Sequence, residues 1–396
     1  MKKFASRVGK LWLVMCVLNP AALAQTIPIG DIEELYSNVN NPANAGATLL
    51  LAPGRYVLTT TDPSNVARPK GGRIEFQPNM SIMGVEGDRT QVVIDAIKLP
   101  RTSFPNADGP NAAVRMGLGH NALEWLTVSG AANGQANIDT GLQALDPADT
   151  SILLAHIAST GSARGANIRN FGPQTSGQTI EADVIDCDFF ENPFGVSEGI
   201  RMGNFGGAIG SIVNVRMSGN RSWGQQQGRL IVNNTASNSQ VNVVSTGNRF
   251  YGNGSGTGIG GALTAGPVRA DGNTINFEAH GDSYLDNTQF TEFDHGGIVV
   301  LGVENVSLEG GGGSNNTVRI QLWGVKLENN GGTDLYVVGA RSTFIPGVDP
   351  TTSKNNHVTV TIKGNGQGKG RWQPTIYRAD SLPGTPDEGN TATVID

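Results

Sequence analysis

Cysteine is almost missing from this chain. Of 396 residues only Cys16 and Cys187 carry a thiol, so a disulfide framework is excluded and stability must come from burial and hydrogen bonding. Aromatic residues make up 6 % and charged residues 16 %, which argues against an aromatic-rich core and against a charge-laced helical protein. No apolar run approaches the roughly 20 residues that a membrane-spanning helix requires. The first 24 residues do not read as fold. Lys2, Lys3, Arg7 and Lys10 precede the apolar run Leu11 to Leu18, and Ala22-Leu23-Ala24 offers small residues for cleavage before Gln25. That order is a secretory signal peptide, and the mature chain is expected to be secreted or periplasmic. Cys16 follows the bulky Met15, which argues against a lipid anchor.

Positive charge is also scarce. Removing those four cations from 28 basic and 34 acidic residues leaves 24 basic residues and a formal net charge of −10. Such a chain is a poor general partner for nucleic acid or anionic membranes, although a local basic stripe could still hold an acidic polymer.

What the chain has in quantity is glycine, 55 residues, spaced by a repeat. Segments beginning at Ile180, Val213, Val241, Ile275, Val318 and Val358 read IEADVIDCDFFEN, VNVRMSGNRSWGQ, VNVVSTGNRFYGN, INFEAHGDSYLDN, VRIQLWGVKLENN and VTVTIKGNGQGKG. Their first and third residues, and usually the fifth, are apolar, the alternation of a strand with one buried face. The seventh is Gly219, Gly247, Gly281, Gly324 or Gly364 in five of the six, which predicts a corner with positive φ. A second apolar strand follows in each interval (Ile200 to Met202, Leu230 to Val232, Ile259 to Leu263, Ile298 to Leu301, Leu335 to Val338, Thr375 to Tyr377), and Asn-rich turns precede the next repeat. This is a solenoid repeat. A propeller would need four strands per blade and more hairpin signals.

Earlier strands are expected within 47–58, 73–85, 90–96, 114–130 and 152–159, with extended loops over 133–147 and 161–177. Ile32, Leu35, Tyr36 and Val39 lie at helical spacing behind Asp31, a short helix that would cover the first rung. The expected organisation is a leader over 1–24 and one all-β domain over 25–396: a helical cap over 25–45, rungs over 46–370, and a tail or cap over 371–396.

The helix followed by Leu51-Ala52-Pro53-Gly54-Arg55-Tyr56, the GRIEF-like strand, the MGVEGDRT turn and the later GNRFYGN segment resemble the opening and stacked repeats of pectate-lyase-like proteins. The resemblance covers most of residues 30–365 and implies a right-handed, single-stranded parallel β-helix. It also implies work on polysaccharide; with the leader, this suggests an exported lyase, hydrolase or epimerase of an acidic polymer, or a non-catalytic glycan-binding or structural envelope or matrix component. Fold does not choose between them. The Asn-Thr-Asp, Asp-Asp, Gly-His-Gly and Arg-Ile-Lys signatures of polygalacturonase-like members and the vWiDH signature of calcium pectate lyases do not occur.

Stacking the repeats in register gives candidate site columns. The ninth position holds Asp188, Arg221, Arg249, Ser283, Lys326 and Gly366, a basic stripe that could track uronate carboxylates or take a proton. A row of solvated turn residues, with Asp188 pairing Arg221, is the blander and favoured alternative. The outward fourth position holds Asp183, Arg216, Glu278 and Gln321; the sixth holds His280, Trp323 and Lys363. Arg221, Arg249, Lys326 and His280 are the catalytic candidates; Asp183, Arg216, Glu278 and Trp323 are the substrate-binding ones, Trp323 through ring stacking. An ordinary polar face with a Glu278–Arg216 ion pair is the alternative. Asp282, Asp286 and Asp294 offer oxygen ligands for Ca²⁺, the one cofactor suggested, though without any calcium-loop spacing. Asp186 and Asp188 could act as paired carboxylates. His120, His156 and Cys187 read as core or edge residues.

Overall fold

The computed structural model describes residues 25–100, 111–131, 136–142, 150–193, 197–264, 269–288, 296–305, 312–342, 353–364, 375–382 and 388–396. The proposed leader therefore lies outside the described residues.

Each turn of the chain lays one strand into each of three sheets. Sheet one has 12 strands, running from Thr26–Ile29 to Thr391–Ile395; sheet two has 9 short ones, from Gly54–Val57 to Lys326–Glu328; sheet three has 10, from Ile74–Glu75 to Ile376–Ser381. All strand pairs in the three sheets are parallel and join each rung to the next. The result is a right-handed parallel β-helix, the hand that twisted parallel strands adopt in nearly all crossovers. Pairing continues through Thr391–Ile395, past the rung limit of 370 expected from sequence.

The repeat positions stack without slippage. Ile180, Val213, Val241, Ile275, Val318 and Val358 are successive partners in sheet one, and all six are buried. Because side chains alternate, this register turns the first, third and fifth positions inward and the second, fourth and sixth outward. The inward residues of the three sheets merge into one core running from Ile29 to Ala392. At the corner after each sheet-one strand, Gly219, Gly247, Gly281, Gly324 and Gly364 have φ between 59° and 67°, the left-handed backbone that glycine adopts at no steric cost. Three earlier rungs put Trp125, His156 and Asp186 there, at φ 55°, 56° and 47°.

Amide ladders close the corners. Asn273 donates to Asn316 Oδ1 at 3.0 Å, Asn316 to Asn356 at 2.9 Å and Asn356 to Asn390 at 2.9 Å. Asn253 and Asn287 do the same at a second corner, and Asn220 and Asn248 at the third. Each buried amide accepts from a backbone N–H of the preceding rung and donates to a backbone carbonyl there, while its side-chain bond runs on to the next rung, so the corners lose water without orphaning donors. At the N-terminal end, Asp31 caps the helix Ile32–Val39 by accepting from the Glu33 and Glu34 amides. The helix buries Leu35, Tyr36 and Val39, and the Tyr36 hydroxyl donates to the Gly72 carbonyl at 2.6 Å.

The two segments expected as loops, 133–147 and 161–177, each contain a sheet-three strand: Ala136–Asp139 and Arg164–Phe171. Only Ile138, Ala166 and Ile168 point apolar side chains into the core there, too few to show a period against so many polar neighbours.

Burial pushes the Cys187 thiol up to about 12 and the Tyr36 hydroxyl up to about 12. Both groups are neutral in the fold and ionise more easily once unfolded. Their contribution is complete below their ordinary values of 9.0 and 10.0 and is lost as pH rises toward about 12. Denaturant midpoints should therefore fall progressively between about pH 9 and 12. Cys187 should resist thiol reagents until the chain unfolds; a flat midpoint or rapid native labelling would contradict this burial.

Candidate functional site

Sheet one carries the fourth- and sixth-position candidates on its outer face, as the register requires. Arg216 forks onto Asp183, with Nε–Oδ1 at 2.6 Å and Nη2–Oδ2 at 2.8 Å. The expected Glu278–Arg216 pair does not form, because the rung of Val244 separates them. Glu278 instead meets His280, Oε1 to Nε2 at 2.9 Å. The rings of His280 and Trp323 stack at 6.0 Å, and Lys363 Nζ lies 4.9 Å from the Trp323 centroid. His280, Glu278 and Trp323 thus come together, whereas Asp183 and Arg216 form a separate pair.

The ninth-position stripe lines up on sheet two: Asp188, Arg221, Arg249, Ser283 and Lys326 are successive partners. Gly366 lies outside the described residues. Its cations are mostly engaged. Arg221 forks onto Asp188 at 2.7 and 2.6 Å, Lys326 pairs with Glu328, and Arg249 lies 4.8 Å over the Tyr251 ring. Beside the stripe, Phe190, Trp223 and Tyr251 stack on one another at 4.7 and 5.4 Å. The stack covers both faces of Trp223. Asp186 and Asp188 are not a free carboxylate pair, since Arg89 reaches both, at 2.8 and 3.5 Å. His156 stacks on Trp125 at 3.7 Å and meets Asp186 at 2.9 Å.

The calcium set does not converge. Asp282 points into the core with no exposed surface. It accepts from the Asn248 amide at 2.8 Å and lies 3.7 Å from buried Arg229. Asp286 stays outside at a left-handed corner, and Asp294 lies outside the described residues. Among the described residues, no three His, Cys, Asp or Glu side chains gather where they could hold a metal ion.

Sheet three holds what the sequence did not reveal. Glu75, Arg115, Asp139, Asn167 and Arg201 are successive partners in one outward column. At a strand spacing near 4.8 Å this column spans about 19 Å. Arg115 contacts Glu75 at 3.0 Å, and Lys70 reaches the same carboxylate at 3.3 Å. Asp139 accepts from Asn167 at 2.8 Å and meets the Arg169 guanidinium at 2.7 Å. Glu198 lies between Arg164 at 2.7 Å and Arg201 at 2.6 Å. Aromatic rings fix two of these guanidinium planes: Arg169 lies 4.2 Å over Phe171, and Arg201 lies 5.2 Å over Phe205.

With Arg73 beside Arg115, six cations face three carboxylates among the described residues of this surface. Burial lowers Arg73 to about 10, and the Arg115 charge pushes it the same way. Burial also lowers Arg201; Glu198 opposes that, while Arg164 and Arg169 add to it. Both shifts come first from the burial of these guanidinium groups, with neighbouring cations adding to it. Arg164, Arg169 and Arg201 retain 19 %, 12 % and 14 % side-chain exposure, enough to meet a ligand from a largely desolvated position. Asp139, Asn167 and Arg169 fall in segments that read as loops. The available signal was the alternation in Asn167-Ile168-Arg169 and Ile200-Arg201-Met202.

Sheets and corners together define a parallel β-helix protein. No known family profile matches the chain, and no curated protein matches it in sequence. Several solved structures resemble it over most of its length. The A-module of mannuronan C-5 epimerase AlgE4 from Azotobacter vinelandii shares 16 % identity, with 93 % of this chain and 92 % of that one covered and a TM-score of 0.43. Pectate lyase Pel9A shares 14 % identity over 91 % and 75 %, with a TM-score of 0.38. The catalytic unit of a GH87 α-1,3-glucanase from Streptomyces thermodiastaticus shares 14 % over 95 % and 68 %, with a TM-score of 0.35.

Proposed function

We propose that this is an exported, carbohydrate-active β-helix protein that holds an acidic polysaccharide along the outer face of sheet three. The observation that carries the reading is the group of guanidinium side chains Arg164, Arg169 and Arg201, laid over two adjacent rungs with Arg115 two rungs before them, on a chain whose overall charge is negative. Guanidinium forks suit carboxylates, and their affinity grows where water is excluded. A rung repeats at nearly the length of one sugar unit, so two neighbouring carboxylates can meet the adjacent rungs of Arg169 and Arg201.

The same arrangement favours chemistry next to a carboxylate. Neutralising a uronate carboxylate acidifies its α C–H, the first requirement of β-elimination and of epimerisation. Hydrolysis needs a carboxylic acid free to protonate the leaving oxygen. Asp139 and Glu198 are both engaged by guanidinium groups, so proton abstraction is the better match. A second reading, binding without turnover, is favoured by one observation. Over these rungs the described residues of the face include no histidine or tyrosine to take the proton.

The test is to incubate the protein with pectate, alginate and neutral glucans, with and without Ca²⁺, and to follow unsaturated-uronate absorbance, C5 inversion by NMR and binding. Acidic polymers should bind, with affinity falling steeply as salt rises. Arg169→Ala and Arg201→Ala should each weaken binding about tenfold, in keeping with the loss of one charge-assisted fork. Wild-type affinity in both variants, or no preference for acidic polymers, would overturn the assignment. Binding without product would select the second reading.

A further inference from the structure

On sheet one, the second and fourth outward columns run side by side, and each is interrupted: the fourth at Val244 and the second at Arg319, two rungs on. In the second column, Asn214 donates to Glu181 at 2.5 Å, Asn242 to Asn214 at 2.6 Å and Asn276 to Asn242 at 2.8 Å. The ladder stops there, because the next partner is Arg319. In the fourth column, Arg216 turns back to Asp183 and Glu278 turns sideways to His280. Val244 is left between them, 43 % exposed. A depression of about 210 Å³ opens over it, lined by Asn242, Val244, Asn276, Glu278, Arg319 and Gln321.

We propose that this depression binds one pyranose unit of a neutral glycan, independently of the acidic polymer on sheet three. Its floor is an exposed aliphatic side chain, which suits the C–H face of a sugar ring. Its rim supplies groups that no neighbour uses among the described residues: the Asn276 carbonyl oxygen, the second Glu278 oxygen, the Arg319 guanidinium and the Gln321 amide. Amides both donate and accept, as hydroxyl groups do, and a carboxylate can accept from two adjacent hydroxyls. One cation and one anion on the rim cancel, so the depression gains no net attraction for a charged sugar. Sheets one and three then present two glycan chemistries on different faces of the same rod.

The experiment is saturation-transfer NMR and calorimetry on the full chain with cello-, manno- and laminari-oligosaccharides, each with and without an excess of oligouronate. At least one neutral series should show transfer that the oligouronate does not displace. Val244→Trp, which fills the floor, should abolish it, and Asn276→Ala and Arg319→Ala should each weaken it at least fivefold. All three side chains point outward, and unchanged melting curves would show that the fold is intact. No transfer from any neutral series, transfer displaced by oligouronate, or wild-type affinity in Val244→Trp and Asn276→Ala would each overturn the proposal.

Discussion

Asp282→Ala is expected to destabilise the folded chain by about 3–5 kcal/mol, the cost of leaving a buried charge without its partner. The charge is that of Arg229, which points into the β-helix and is fully buried. Its Nη1 donates to Ser245 Oγ and its Nη2 to the Tyr284 hydroxyl, both at 2.7 Å. Asp282 supplies the only carboxylate that the described residues place beside it, at 3.7 Å, and also accepts from the Asn248 amide and the Ser245 hydroxyl. The rings of Phe250 and Phe277 lie 4.5 and 4.6 Å from the guanidinium, and neither Arg229 nor Asp282 has exposed surface, so bulk water does not reach the place of the lost carboxylate. Asp282→Asn should keep the Asn248 bond and still leave the charge uncompensated. Adding Arg229→Met to Asp282→Asn should recover most of the loss, since an apolar replacement for a buried pair is often neutral. Guanidinium-chloride unfolding of the three variants reads all of this. A midpoint unchanged in Asp282→Ala would mean that the pair does not hold the core.

Asn316→Leu is expected to cost about 3 kcal/mol or more, because one buried side chain serves three neighbours. Asn316 Oδ1 accepts from the Asn273 backbone amide at 2.9 Å and from the Asn273 side chain at 3.0 Å. Its Nδ2 donates to the Ala270 carbonyl at 3.0 Å and to Asn356 at 2.9 Å. Leucine has similar bulk and satisfies none of them, so the loss reflects orphaned polar groups more than packing. Thr359→Ala, on the outer face of sheet one, should move the midpoint by no more than about 0.5 kcal/mol. Equal effects from the two substitutions would deny the ladder its role.

The sheet-one strands were readable because burial there enforces alternation: six starts from Ile180 to Val358 fall on one register line. Sheet two was hidden, since strands of three residues such as Arg221–Trp223 are too short to show any period. Arg164–Phe171 was hidden for another reason: its outward residues are charged and its inward ones include Ala166. That is why the basic face went unseen while a thinner stripe on sheet two stood out. Asp282 shows a further limit. It occupies a corner position filled by Asn220 and Asn248 in the preceding rungs, where an acid reads as solvated. It is inside because Arg229 is inside, and that arginine belongs to an earlier rung whose own repeat gives no hint of it.

The Arg229 cluster has a consequence for how the rod comes apart. Solenoids hold together by nearest-neighbour interfaces, so opening normally begins at an end and spreads rung by rung. Here a single guanidinium bonds to Ser245, Tyr284 and Thr257, side chains drawn from the two rungs beyond its own. Those rungs cannot separate one at a time without stranding a charge. Opening from either terminus should stall on reaching them, and their backbone amides should be the last in the molecule to exchange with deuterated solvent.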